Sequence, residues 1–314
     1  MEKIWYNRKG DKMSLYNDTK YIMNKYNISA SKRLGQNFLI DDEILQEIVD
    51  CSDITKDDLV IEIGPGLGTL TGALLEKAGK VICIELDTRM IAILKDRFSM
   101  YDNLEIINDD ILKMDLNKLI AEKSAKVVAN LPYYITTPII MKLLEDRINI
   151  KSITVMVQKE VADRLVAEPG KGDSGAITYG IRYYTKPERI AEVPNTSFLP
   201  APEVNSTVIK FEVLNEPSIK VINDKLLFKV IKLAFMQKRK TLVNALLNGN
   251  VGAYGVRPGE CHSPLQNNIL RDKSEIEKML ADLGFDTKIR GEKLTLEDFG
   301  RIADYIESLT KQAF

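Results

Sequence analysis

Residues 126–140 read KVVANLPYYITTPII: a short apolar run, then an amide, a proline and two aromatic rings before anything helical begins. Asn130 carries a side-chain carbonyl, and Leu131 adds a backbone carbonyl held extended by Pro132, because the residue before a proline is driven out of the helical region. Two such acceptors can each take one N–H of an exocyclic amine. They then turn its lone pair toward an electrophile, which an amine conjugated into a purine ring needs before it reacts. Tyr133 adds a flat face on which an unstacked base can rest. The chemistry is positioning and electrostatics rather than acid–base catalysis. A proline turn leading into a helix accounts for Thr137 and Pro138 as N-cap and first-turn residue, but leaves Asn130 and Tyr133 without a reason.

A second group of residues supplies the electrophile's site. In LVIEIGPGLGTLT (59–71), Gly64, Gly66 and Gly68 are spaced GxGxG between a strand and a helix. The dinucleotide fingerprint requires GxGxxG, so a pyrophosphate ligand is disfavoured, while close approach of a ligand to the backbone remains possible. The next strand, KVICIELD, ends on Glu85, placed to accept from both hydroxyls of a ribose. The third, LEIINDDIL, ends on Asp109 and Asp110, placed to accept from an adenine amine. Carboxylates arriving in order at successive strand ends describe an adenosine-bearing ligand without a pyrophosphate, and S-adenosylmethionine fits.

These residues need a sheet to present them. From Asp57 onward, apolar strands over 59–63, 81–85, 104–108, 127–130 and 153–158 alternate with helical stretches over 70–77, 89–98 and 138–146. That alternation predicts an α/β fold, a parallel sheet covered on both faces. Residues 176–184 and 206–213 read as two late strands around the proline-rich NTSFLPAPEVN. Helices follow over 225–247, 274–283 and 296–308, with a domain boundary near 214–218.

Composition narrows the class. The chain has 314 residues, 45% hydrophobic and 28% charged, with no apolar run of bilayer length and no apolar segment in its first thirty residues, so a soluble cytoplasmic protein is expected. Three scattered cysteines, Cys51, Cys83 and Cys261, make neither a disulfide framework nor a metal site, and no metal is expected. The single histidine, His262, sits in a loop-like stretch and is assigned no catalytic role. Net charge is −1, yet Lys225, Lys229, Lys232, Lys238, Arg239 and Lys240 share a stretch whose only acid is Asp224, which reads as a solvated helix face or an RNA contact.

The motifs SKRLGQNFLID (31–41), IEIGPGLGTLT (61–71), CIELD (83–87), NDDIL (108–112), NLPYYITTPII (130–140), FLPAPEVNSTVIKF (198–211) and FMQKRKTLVNAL (235–246) occur in one order along the chain. In this the protein resembles the bacterial small-subunit ribosomal RNA adenine dimethyltransferases. The resemblance implies a Rossmann-like class I methyltransferase with a mostly parallel seven-stranded sheet over 31–215, an N-terminal extension over 1–30, and a helical RNA-binding domain over 216–314. It implies S-adenosylmethionine-dependent dimethylation of two adjacent adenosines in the 3′-terminal hairpin loop of 16S rRNA, by a monomer acting on the immature 30S subunit. Asn37, Leu39, Gly64, Gly66, Glu85, Asp110 and Asn130 would hold the cofactor. Asn130, Leu131, Pro132, Tyr133 and Phe198 would hold the target, with Phe198 a second aromatic wall opposite Tyr133. Lys238, Arg239 and Lys240 would contact RNA. Ser174 stands where members often carry an aromatic, and residues 248–273 are longer than the usual connection and have no functional reading.

Three rivals remain at this level. The related 23S rRNA adenine dimethyltransferases of antibiotic resistance are typically shorter and strongly basic, unlike this near-neutral chain. A ribosome-assembly factor would use the basic stretch alone. An NAD-dependent oxidoreductase lacks both the glycine spacing and a hydride-transfer partner.

Overall fold

A computed structural model describes residues 13–31, 34–121, 123–237, 239–249 and 272–312. In chain order these form α1 (Leu15–Lys25), β1 (Phe38–Leu39), α2 (Asp42–Cys51), β2 (Leu59–Ile63), α3 (Thr69–Lys77), β3 (Lys80–Glu85), α4 (Thr88–Arg97), β4 (Leu104–Asn108), α5 (Leu116–Ile120), β5 (Ala125–Asn130) and α6 (Thr136–Glu145). Then come β6 (Ile150–Gln158), α7 (Lys159–Val166), α8 (Ala176–Tyr184), β7 (Thr185–Val193), β8 (Phe198–Leu199), β9 (Ser206–Val213), α9 (Asp224–Met236), α10 (Leu242–Gly249), α11 (Lys273–Asp282) and α12 (Leu296–Gln312). Among the described residues no helix is long and apolar enough to cross a membrane.

Seven strands form one sheet in the order β4-β3-β2-β5-β6-β9-β7. The pairs from β4 to β6 are parallel, and β9 runs antiparallel to β6. β2 is buried along its whole length and β3 everywhere but its first residue, as strands covered on both faces must be. The chain runs outward from β2 through β3 to β4, then returns to β5 on the other side of β2. Order therefore reverses between β2 and β5, and a crevice opens beyond their carboxyl ends. Register pairs Glu62 with Val128, so Gly64 and Asn130 leave the sheet at the same level.

Contacts divide the chain into two compact units: residues up to Asp163 with Lys186–Leu214, and Arg164–Thr185 with the residues from Asn215 onward. Residues 164–185 thus pack with the helical unit. Residues 176–184 are the reason. They are a helix, α8, and not a strand: Thr178 Oγ1 accepts the Gly175 N–H at 2.9 Å and donates to the Arg164 carbonyl at 2.7 Å. Tyr179, Ile181 and Tyr183 are buried, and the Tyr179 hydroxyl donates to the Leu294 carbonyl at 2.7 Å. Packing in the helical unit thus overrides the β-propensity of Ile and Tyr. β7, which follows directly, takes the place in the sheet.

Two further readings are corrected. Helix α6 begins at Thr136 with Ile135 as N-cap, so Thr137 does not cap it. Thr136 Oγ1 instead donates to the Pro132 carbonyl at 3.2 Å, and Pro138 stands third in the helix, where its missing N–H has no intrahelical partner to lose. The single helix read over 225–247 is two, α9 and α10. Within the N-terminal extension, Ile22 of α1 packs with Phe38, Leu67, Met90 and Ile93. Lys238, Cys261, His262 and most of 248–273 lie outside the described residues.

Gly68 shows how tightly the glycine loop is set. Its φ is +87°, and a Cβ there would lie 2.5 Å from Phe98 Cε2 and 2.9 Å from Cζ, inside a buried ring. A Cβ on Gly64, at φ +68°, would meet nothing within 4 Å. Gly68→Ala is therefore expected to cost about 2–4 kcal/mol in urea unfolding, overpacking added to left-handed strain, and Gly64→Ala only about 1 kcal/mol of strain. Equal losses for the two variants would sink this account.

Candidate active site

A cleft of about 1070 Å³, counting the solvent at its mouth, opens beyond the ends of β2, β3 and β5. Its lining includes Asn37, Leu39, Gly64, Gly66, Glu85, Asp110 and Asn130 through Tyr133, residues far apart in sequence.

The Glu85 carboxylate, buried at the end of β3, anchors the glycine loop. Oε2 accepts the Gly66 N–H at 3.1 Å and Oε1 accepts the Asp87 N–H at 2.8 Å. Burial pushes its pKa up and the backbone donors pull it down, burial being the larger effect. Each carboxylate oxygen carries a second lone pair, so the group still has acceptors to offer a pair of hydroxyls. The Asn108 amide donates to the Glu85 carbonyl at 2.7 Å and ties the ends of β3 and β4 together. Asp110 stands beyond β4; its Oδ1 accepts the Leu112 N–H at 3.0 Å, and Lys113 Nζ lies 3.5 Å from Oδ2.

The 34–39 segment forms another wall. Gln36 Oε1 accepts the Ser31 N–H at 2.9 Å while its Nε2 donates to Asp87 Oδ2 at 3.1 Å, clamping the segment to the start of α4. Beyond it, β1 and β8 form a two-stranded antiparallel ladder, Phe38 opposite Leu199 and Leu39 opposite Phe198.

Asn130 meets this wall directly. Its Nδ2 donates to the Asn37 carbonyl at 3.2 Å. Since the amide nitrogen is engaged, the side-chain oxygen is left as the acceptor, the polarity needed to receive an N–H. The Leu131 N–H donates to the Met156 carbonyl at 3.3 Å, and the Pro132 carbonyl accepts from the Ile135 N–H at 3.1 Å, so the turn is held on both sides. Tyr133 is half-buried, its hydroxyl 2.8 Å from Ser206 Oγ on β9, which fixes the ring's outer edge.

Phe198 lies elsewhere than its assigned wall. Its side chain is 2% exposed, sits in the core with Leu39, Val128 and Met156, and does not line the cleft. It backs β1 through the ladder. Arg239 and Lys240 are exposed beyond α9.

Some cleft residues escape sequence reasoning. Leu86 and Tyr134 are 54% and 58% exposed, large apolar groups held open to solvent at the cleft. Glu62, in the middle of β2, is the opposite case: 1% exposed at the cleft's inner end, with Thr71 Oγ1 donating to it at 2.6 Å and Cys83 Sγ at 3.3 Å. Burial pushes its pKa up to about 7, and holds the Cys83 thiol far above its usual range. A lone acid in an apolar strand was the available signal.

The donor and acceptor set fits an adenosine-bearing cofactor: a carboxylate with lone pairs to spare at β3, a second acid at β4, and open space over Gly64 that a Cβ would invade.

Comparison with known proteins agrees. A family model described as "Ribosomal RNA adenine dimethylase" matches residues 27–282. The "Ribosomal RNA small subunit methyltransferase A" of Alkaliphilus oremlandii is 44% identical over 298 residues, 94% of this chain and 98% of that protein. A solved dimethyladenosine transferase from Plasmodium falciparum is 28% identical with a TM-score of 0.69, over 87% of this chain and 98% of that one. The 23S rRNA methyltransferase ErmE is 22% identical with a TM-score of 0.63, over 86% of this chain and 100% of that one, and shares the fold. Sequence and architecture converge, and this chain belongs to the ribosomal RNA adenine dimethylase family.

Proposed function

We propose that the protein is the S-adenosylmethionine-dependent adenine dimethyltransferase of small-subunit ribosomal RNA, modifying two adjacent adenosines in the 3′-terminal hairpin loop of 16S rRNA within the immature 30S particle, as a cytoplasmic monomer. The observation that carries this reading is the 44% identity, over 94% of the chain, to a small-subunit methyltransferase, joined to an Asn130 amide whose oxygen is left to accept.

When bound, S-adenosylmethionine supplies a methyl on a positively charged sulfur. Glu85 accepts from the ribose hydroxyls, Asp110 from the adenine amine, and Asn37, Leu39, Gly64 and Gly66 shape the space between. Asn130 and the Leu131 carbonyl take the two N–H groups of the target amine, so its lone pair points at the reacting carbon. Tyr133, braced by Ser206, stacks the flipped base, and Pro132 keeps the two acceptors from relaxing apart. After the first transfer the methylated nitrogen gives up one proton to water, one N–H remains, and one acceptor suffices to orient the second. Arg239 and Lys240 contact phosphates, which makes binding salt-sensitive.

Purified 30S and 50S precursors, offered separately with labelled methyl donor, test the reading. Dimethyladenosine in 16S rRNA alone is the expected result, and transfer only to 23S rRNA overturns it in favour of the antibiotic-resistance activity.

A further inference from the structure

Helix α1 precedes the residues that the family model matches, yet it is tied to the cofactor loop by a continuous set of polar contacts. Arg97, the last residue of α4, extends Nη2 to Asp18 Oδ2 at 2.7 Å and Nη1 to the Leu67 carbonyl at 2.5 Å. Leu67 lies inside the glycine loop, between Gly66, whose N–H is held by Glu85, and Gly68, whose N–H donates to the Pro65 carbonyl at 2.9 Å. The Leu67 side chain is buried against Ile22 of α1 and Phe38 of the cleft wall. One guanidinium thus spans the helix and the loop, a fork geometry that suits arginine.

The pair is costly where it stands. Asp18 and Arg97 side chains are each 8% exposed. Burial raises the Asp18 pKa more than Arg97 lowers it, and burial lowers that of Arg97. Desolvation therefore outweighs attraction on both partners, and an apolar contact would hold the helix at least as well. What an apolar contact cannot do is donate a directed hydrogen bond to the Leu67 carbonyl.

We propose that Asp18 and Arg97 are positioning residues for the methyl-donor site: α1 aims the Arg97 guanidinium, and the guanidinium sets the Pro65–Gly68 backbone in its ligand-receiving form. The proposal rests on the cofactor reading above. A built-in control lies on the same helix. Lys25 Nζ and the Tyr26 hydroxyl hydrogen-bond Asp96 of α4, with Lys25 to Asp96 at 2.8 Å, and neither polar group hydrogen-bonds the loop, although the Tyr26 ring packs with Leu67 and is kept by Tyr26→Phe.

The test is calorimetric binding of S-adenosylhomocysteine to the full chain, beside urea unfolding and methylation kinetics on 30S particles. Arg97→Gln and Asp18→Asn are expected to weaken S-adenosylhomocysteine binding about tenfold or more, with kcat at saturating donor and KM for 30S within about threefold. Arg97→Lys recovers only part of the affinity, because an ammonium does not reproduce the fork. Lys25→Ala, paired with Tyr26→Phe, lowers stability and leaves affinity within about twofold. Should Arg97→Gln fail to fold, the isosteric Asp18→Asn carries the test. Folded Asp18→Asn protein with wild-type affinity overturns the proposal, as does an affinity loss of equal size in the Lys25 and Tyr26 control. Wild-type protein that binds no S-adenosylhomocysteine overturns the cofactor reading itself.

Discussion

Asn130→Ala lowers methyl transfer to 30S rRNA by about 10²–10³-fold at saturating donor, a far larger factor than the loss of S-adenosylhomocysteine affinity that goes with the tether to the Asn37 wall. The split follows from where the side chain points. Its nitrogen is committed to the Asn37 carbonyl at 3.2 Å, so truncation removes one acceptor for the target amine and leaves the Glu85 and Gly66 contacts in place. An acceptor that matters only when the amine attacks is lost from kcat rather than from binding. Asn130 is only half-buried, so little stability should go with it. Single-turnover kinetics on 30S particles with labelled donor measure the effect. A variant retaining more than about a tenth of the wild-type rate would show that Asn130 is not the orienting acceptor.

Glu62→Gln is expected to change how stability depends on pH, by about 3 kcal/mol across the window from 4.5 to 7. The folded-state pKa of Glu62 is about 7 against 4.5 for the free side chain. Below 4.5 both states hold the proton and the group costs nothing. Between the two values the unfolded chain ionises while the folded chain keeps its proton, so stability drains away as pH rises. Above 7 the folded protein must hold a carboxylate in its core, and the loss is complete. Glutamine matches the protonated acid in shape, and its oxygen accepts from Thr71 and Cys83 as Glu62 does. Urea unfolding of both proteins at pH 5 and pH 8 isolates the difference, since every other titrating group is common to the pair. The variant should gain on the wild type as pH rises, and parallel profiles would refute the assignment.

Those two residues mark what sequence alone conveys here and what it withholds. Strands 59–63, 104–108 and 206–213 are legible to the residue, because each is a short run rich in branched apolar residues stopped by turn-forming ones. Glu85 and Asp110 are legible because strand order places successive strand ends on one edge. The orientation of Asn130 is not, since its partner lies 93 residues away. Helix α8 is hidden by its Ile and Tyr content, and α1 by polarity: Asp18 and Thr19 occupy its buried face, against the rule that reads buried faces as apolar. Phe198 shows a different gap. A motif brings the residue to the right neighbourhood, but whether its ring faces the cleft or the core depends on Leu39, Val128 and Met156, which the motif does not contain.

The ladder between β1 and β8 has a consequence for synthesis. Phe38 and Leu39 find their strand partners only at Phe198 and Leu199, and around them the Ile40 N–H donates to the Ser197 carbonyl at 2.9 Å and Ser197 Oγ to Asp41 at 2.7 Å. A nascent chain emerging from its ribosome can pair β2 through β6 early, while the wall carrying Asn37, held by Asp87 and Asn130, lacks its strand partner until some 160 further residues have been translated. The pocket is thus among the last parts of its unit to be completed, and a chain stalled short of Phe198 carries most of a sheet with an unfinished wall.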